Sequence, residues 1–285
     1  FSFAKVPYGT WIIREIESPK GYVLSEEEIA VTIGKVDEVV EIELVNYFIK
    51  GNIALTKVDE DYPDNKLSGA VFEVYSDTNG DGKLDKDDTL LGEMKELDGG
   101  VYQMSELRYG KYLVKETKAP TGFVLDEDVY AVSIEENGKT YTVENKAGVG
   151  FINAAQKGSL KIVKTSSDGK VEGFSFRVTG VDYDQTFKTD KNGEIVIEGL
   201  RIGDYTVSEV SDKASAGYIL PADKQATVKV NATAIVQMHN EFRDTPKTGD
   251  DFNLGLWVSL AALSVVGAGV LGFVGYKNRK KKKED

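Results

Sequence analysis

The chain has no cysteine and a single histidine, His239, among its 285 residues. Without cysteine no disulfide can staple the fold, and neither a thiolate metal site nor a thiol nucleophile exists. One histidine removes His-dependent hydrolysis and multi-histidine metal centres from consideration. Acidic side chains outnumber basic ones, 47 to 35. The net charge is −12, and because residues 250–285 carry six basic and four acidic groups, residues 1–249 carry −14. An acidic body of this kind argues against nucleic acid as a partner and suits an exposed, self-repelling surface. Long apolar runs are missing until Leu254–Tyr276, 23 residues without a charge. The chain opens at Phe1 in what reads as mid-domain, as a C-terminal piece of a longer protein would.

As a helix, the 254–276 run spans roughly 35 Å, enough for a bilayer core. The basic tail "KNRKKKKED" that follows belongs on the cytoplasmic side, which puts the acidic body outside the membrane. Just before the span lies "DTPKTGDD". A Pro-x-Thr-Gly element, an apolar span and a short basic tail, in that order, resemble the LPxTG sorting signal of Gram-positive wall-anchored proteins. The resemblance implies that a sortase reads Thr245, Pro246, Lys247, Thr248 and Gly249. It cuts between Thr248 and Gly249 and passes the Thr248 carboxyl to an amine of a peptidoglycan precursor or a pilin subunit. Thr245 stands where the pattern has leucine, which leaves open which sortase acts.

The body repeats about every 90–105 residues. Hydrophobic-x-x-Gly-x-aromatic recurs as "VPYGTW" (6–11), "LRYGKY" (107–112) and "LRIGDY" (200–205), each leading into a strand with a glutamate on its aromatic face. Alternation puts Trp11 and Ile13 with Glu15, Tyr112 and Val114 with Glu116, and Tyr205 and Val207 with Glu209. A later strand in each repeat ends in an asparagine: Asn46, Asn153 and Asn240. Gly51 and Gly158 open the next units, and six residues on stand Lys57 and Lys164, in register with apolar neighbours. Short Val-, Ile-, Tyr- and Thr-rich strands with Gly and Asn-Gly turns predict β-sandwiches. The expected divisions are a partial domain over 1–50, complete domains over 51–157 and 158–243, and a sorting segment over 244–285.

A buried carboxylate is costly unless something pairs with it. Burial lowers a lysine pKa and raises that of a glutamate, by as much as ~3–5 units at full burial, so the two can be neutral together. A neutral amine is a nucleophile, an asparagine carboxamide beside it an electrophile, and a protonated glutamate a proton shuttle. The product is a Lys–Asn isopeptide bond. The alternative is a plain lysine–glutamate ion pair with the asparagine capping a strand end.

These repeats resemble Cna B-type (SpaA/prealbumin-like) domains of Gram-positive adhesins and pilins over essentially all of residues 1–243, and "YLVKETKAPTGF" (112–123) resembles the pilin E-box. The resemblance implies tandem all-β, Ig-like sandwiches with two site sets, Lys57–Glu116–Asn153 and Lys164–Glu209–Asn240. Glu15 and Asn46 belong to the first domain, whose lysine is expected upstream of Phe1, since Lys5 lies on the wrong strand. The third copy, "SEVSDKASAGY", lacks the Ala-Pro of the motif.

One acidic insertion, "SDTNGDGKLDKDDTLLGE", interrupts the second unit. Asp77, Asn79, Asp81, Gly82, Asp85 and Asp88 fall at EF-hand-like positions 1, 3, 5, 6, 9 and 12, and Lys83 offers a carbonyl. Calcium is therefore the one ion the sequence suggests, against a solvated hairpin with strand-like flanks; no cofactor is otherwise required. "YPDN" (62–65) sits in a turn, and His239 alternates with Asn240 and so faces outward. The function expected is that of a non-enzymatic, cell-wall-anchored extracellular stalk or pilin-like subunit. Its partners would be sortase, wall precursor or pilin, host surface ligands, and the membrane before sorting. The alternative is the spacer and anchor of an adhesin or exoenzyme.

Overall fold

The computed structural model describes residues 1–243, and these form strands and loops only. The first unit contributes β1 (Gly9–Arg14) and β2 (Glu28–Ile33), an antiparallel pair. The second contains β3 (Lys50–Asp59), β4 (Val71–Ser76), β5 (Thr89–Glu93), β6 (Lys95–Glu96) and β7 (Val101–Arg108), then β8 (Gly110–Lys118), β9 (Val129–Ile134), β10 (Thr140–Thr142) and β11 (Phe151–Asn153). The third contains β12 (Lys157–Ser166), β13 (Ser175–Gly180), β14 (Tyr183–Lys188) and β15 (Glu194–Arg201), then β16 (Gly203–Val210), β17 (Tyr218–Ile219), β18 (Lys224–Val228) and β19 (Thr233–Phe242).

Each complete unit is two sheets face to face. In the second unit β10-β3-β7-β6, with β11 also on β3, opposes β5-β4-β8-β9; in the third, β15-β12-β19-β17 opposes β14-β13-β16-β18. Alternating apolar residues fill the space between. Ile53, Leu55, Phe72, Val74, Tyr102, Val114 and Phe151 form one core, and Leu160, Ile162, Phe176, Val178, Tyr205, Val207 and Met238 the other. Each such side chain contributes about 1.5–3 kcal/mol by leaving water.

The repeated motifs have structural causes. Tyr112 and Tyr205 donate their hydroxyls to the carbonyls of Arg108 and Arg201, four residues back (2.6 and 2.9 Å), which ties the aromatic of the motif to its own turn. Gly158 lies so close to the loop between β18 and β19 that a Cβ there would sit 2.2 Å from the Lys229 carbonyl oxygen. Gly51 faces the Lys139 carbonyl in the same way, at 2.8 Å.

The first and last strands run parallel, Lys57 opposite Phe151 and Lys164 opposite Met238. In the third unit β19 is continuous, whereas in the second the strand is split into β10 and β11. Asn145 staples the excursion: its Oδ1 accepts from Ile152 N (2.6 Å) and its Nδ2 donates to Ile152 O (2.9 Å). The strand expected to end at Asn46 does not form; residues 38–47 carry no strand and Trp11 is exposed. In the complete units this strand pairs with the first strand, β3 or β12, and among the described residues no strand lies ahead of β1.

Junctions between units repeat one backbone pattern. Ile49 donates its N–H to Gly21 O and accepts from Tyr109 N (2.8 and 2.9 Å); Gln156 does the same with Gly122 O and Ile202 N (2.8 and 3.0 Å). Arg108 stacks over Phe48 at 4.0 Å. Arg201 forms a bidentate pair with buried Asp59 (2.6 and 2.8 Å) and reaches Asp61 at 3.0 Å.

Candidate functional site

In the second unit Lys57 and Asn153 come from neighbouring strands of one sheet and Glu116 from β8 of the other. Since Lys57 is opposite Phe151, Asn153 is two residues along on the same face. All three side chains are buried, Lys57 and Glu116 with no exposed surface. The Lys57 amine donates to Asn153 Oδ1 and to Phe151 O (3.2 Å), and lies 3.6 Å from Glu116 Oε1. Asn153 Nδ2 donates to both Glu116 oxygens (3.0 and 2.9 Å), and the Asp126 amide caps Oε2 (2.9 Å). Phe151 shields the amine, its ring centroid 4.8 Å away, with Phe72 and Tyr130 edge-on to that ring. Burial holds the Lys57 pKa down at about 8, against the opposing pull of Glu116 and Asp126.

The third unit repeats the placement. Lys164 is opposite Met238, two residues before Asn240, and Glu209 sits across on β16. Asn240 Nδ2 donates to Glu209 Oε1 at 2.6 Å. The amine differs: it donates to the Thr165 carbonyl and lies 4.3 Å from the Phe174 ring centroid. Asn240 Oδ1 and Glu209 Oε2 are buried without a partner. Burial lowers the Lys164 pKa and raises that of Glu209. In the first unit Asn46 Nδ2 donates to both oxygens of Glu15 (2.8 Å each), and both residues are half-buried rather than enclosed. Lys5 is exposed.

The acidic loop folds against its own sheet, with Lys111 Nζ donating to Gly80 O (2.7 Å). Asp77 caps the amides of Gly80 and Gly82 (2.7 and 3.1 Å), Asn79 Nδ2 donates to Asp85 Oδ2 (3.1 Å), Asp81 caps Lys83 N (2.8 Å), and Asp88 caps Thr78 and Asp85 (3.0 and 2.9 Å). Among the described residues no three acidic, histidine or cysteine side chains are grouped to hold a metal. His239 is exposed, hydrogen-bonded to Thr165 (2.8 Å). The sorting residues 245–249 and the apolar run 254–276 lie outside the described residues; among those described, no helix is long and apolar enough to cross a membrane.

Sequence reasoning missed the supports of the second site, Asp126 and Asn145. Asp126 also accepts from Tyr130 and Asn145 (2.8 and 2.7 Å). Its signal was available, since Ser25 and Asp126 occupy the same place after "GYVL" and "GFVL".

The Bacillus anthracis TIE protein is similar in structure at a TM-score of 0.63 and 27% identity, over 84% of this chain and 42% of that one. The minor pilin GBS52 of Streptococcus agalactiae (17% identity, 70% and 100% covered, TM-score 0.32) and the shaft pilin SpaA of Lactobacillus rhamnosus GG (14%, 69% and 99%, 0.31) also match. No curated protein matches. This chain spans less than half of the TIE protein. The model of the SpaA prealbumin-like fold domain matches residues 1–47, 51–147 and 158–242. The three-fold sequence repeat and the paired sheets agree with this match, and the chain belongs to the SpaA prealbumin-like domain family.

Proposed function

We propose that the chain is the wall-attached region of a Gram-positive surface protein, an adhesin stalk or pilin-like subunit, whose second and third units lock themselves with Lys–Asn isopeptide bonds. The observation that carries this is the water-excluded Lys57–Glu116–Asn153 cluster, with the amine against the carboxamide oxygen and the carboxylate on the carboxamide nitrogen. A lysine with a pKa of about 8 is neutral in about a tenth of molecules at pH 7. Lys57 Nζ adds to Asn153 Cγ; the Cγ–Nδ2 bond breaks and Nδ2 leaves as ammonia, taking a proton that Nζ gives up. Glu116, facing both nitrogens, relays it. Amine and carboxamide become secondary amide and ammonia, with the fold supplying the proximity. Each cluster reacts once, so the chain is not a turnover enzyme. The third cluster follows the same course once the Lys164 amine leaves the Thr165 carbonyl.

Attachment rests on residues 245–249 with the apolar run and basic tail behind them. Sortase cleavage after Thr248 would leave the acidic units outside the cell, joined to peptidoglycan or to a pilin. A second reading, spacer and anchor for a separate adhesin or exoenzyme domain, is favoured by the 42% coverage of the TIE protein. A calcium ion at the 77–88 loop is a separate proposal, resting on the spacing of its side chains. It requires Asn79 and Asp85 to part, and heat with a thermal shift on calcium titration is the expected result; no heat overturns it.

Intact mass tests the crosslinks. Two bonds make the purified protein lighter than its sequence by about 34 Da, one ammonia each, and Glu116→Ala halves the deficit. A mass equal to the sequence overturns the reading.

A further inference from the structure

All three glutamates accept from the asparagine carboxamide of their own unit, and they differ at Oε2, which in the first two units accepts from both that carboxamide and a backbone amide and in the third from neither. Ser25 N caps Glu15 Oε2 (2.8 Å) and Asp126 N caps Glu116 Oε2 (2.9 Å), while Glu209 Oε2 is buried with no partner. The strap that carries the capping amide keeps its register in all units, with bridges Tyr22 to Phe48, Phe123 to Ala155 and Tyr218 to Phe242. Three residues past each strap aromatic stand Ser25, Asp126 and Pro221, in "GYVLS", "GFVLD" and "GYILP". By this register Pro221 falls where Ser25 and Asp126 supply the capping amide, and it has no N–H to supply.

A hydrogen bond from an amide favours the charged carboxylate, and its loss favours the acid. The second orphan is Asn240 Oδ1, an acceptor on the same acid–amide pair. A proton on Glu209 Oε2 turns one of two unsatisfied acceptors into a donor. We propose that Pro221 is a positioning residue of the third site, withholding the amide that caps the other two glutamates so that Glu209 holds a proton on Oε2 for the Asn240 carboxamide. The charged groups acting on Glu209 are Lys164, which favours the carboxylate, and Asp212, which opposes it; burial outweighs the former and raises its pKa. The inference deepens the crosslinking reading and rests on it for its role in chemistry, but not for the proton itself.

The test separates the two. In a Lys164→Met chain, which cannot form the bond, the Glu209 carboxyl is titrated by carbon-13 NMR with and without Pro221→Ala. The expected result is a fall in the Glu209 midpoint by about one pH unit, with the new amide at position 221 protected from hydrogen exchange. In the chain retaining Lys164, Pro221→Ala then lowers the rate of mass loss most strongly above the shifted midpoint. An unmoved midpoint with an unprotected amide overturns the proposal even where the bond forms. A shifted midpoint in a chain whose wild type shows no mass loss upholds the role of Pro221 in proton placement and instead removes the crosslink from this unit.

Discussion

Lys57 shows how much one residue's surroundings decide. Its amine titrates at about 8 in the folded chain, because burial outweighs Glu116 and Asp126, and near 10.4 when unfolded. Between those values the unfolded chain binds the extra proton, so an unreacted chain gains stability as pH rises and loses it as pH falls through about 8. Asn153→Ala, which keeps the amine but cannot react, should therefore melt higher at pH 9 than at pH 7.5. The reacted wild type, whose nitrogen is an amide, should lack this dependence, and scanning calorimetry at the two pH values distinguishes them. Bond formation in freshly refolded chain should likewise accelerate through pH 8. Strand alternation was enough to place Lys57, Glu116 and Asn153 inward, since a period of two is hard to mistake once each has apolar neighbours on its face. The turned-away Lys164 amine was not legible, because alternation fixes a face and leaves the far end of a four-carbon side chain free.

Among the elements, the first and last strands govern the site, and the close approach at Gly158 governs how the first strand enters the sheet. Gly158→Ala would put a methyl against the Lys229 and Ala232 carbonyls and Val228; backbone atoms cannot step aside, so a loss of about 3 kcal/mol is expected in urea titrations. β11 is only three residues long and relies on Asn145 for both backbone bonds of Ile152. Asn145→Ala should cost about 1–3 kcal/mol through unsatisfied groups and slow the mass loss of the second unit while leaving the third unchanged. The paired sheets were readable from repeated apolar alternation. The break between β10 and β11 was not, because residues 143–150 carry no periodicity, and beyond them both backbone bonds of Ile152 go to a side chain. In the first unit the alternation around Glu15 was real, yet Trp11 is exposed: a pattern says which face would be buried and cannot supply the strand that buries it.

At the scale of the molecule, units meet through one linker residue bonded on both sides. The second junction adds the Arg201–Asp59 pair, in which Asp59 is almost fully buried. Arg201→Ala would strand that carboxylate and should weaken the coupling of the second and third units by about 2–3 kcal/mol. Calorimetry would then resolve two transitions where the wild type gives one, and residual dipolar couplings would report looser relative orientation. The parallel pairing of β3 with β11 has a further consequence in polymer terms. With the Lys57–Asn153 bond in place, tension entering at Lys50 crosses to Asn153 after a few residues, and the intervening loop never comes under load. At about 3.3 Å per residue, roughly 300 Å of contour is kept out of reach in the second unit. Such a tether is nearly inextensible: it transmits a tug along its length at once and dissipates almost none of it.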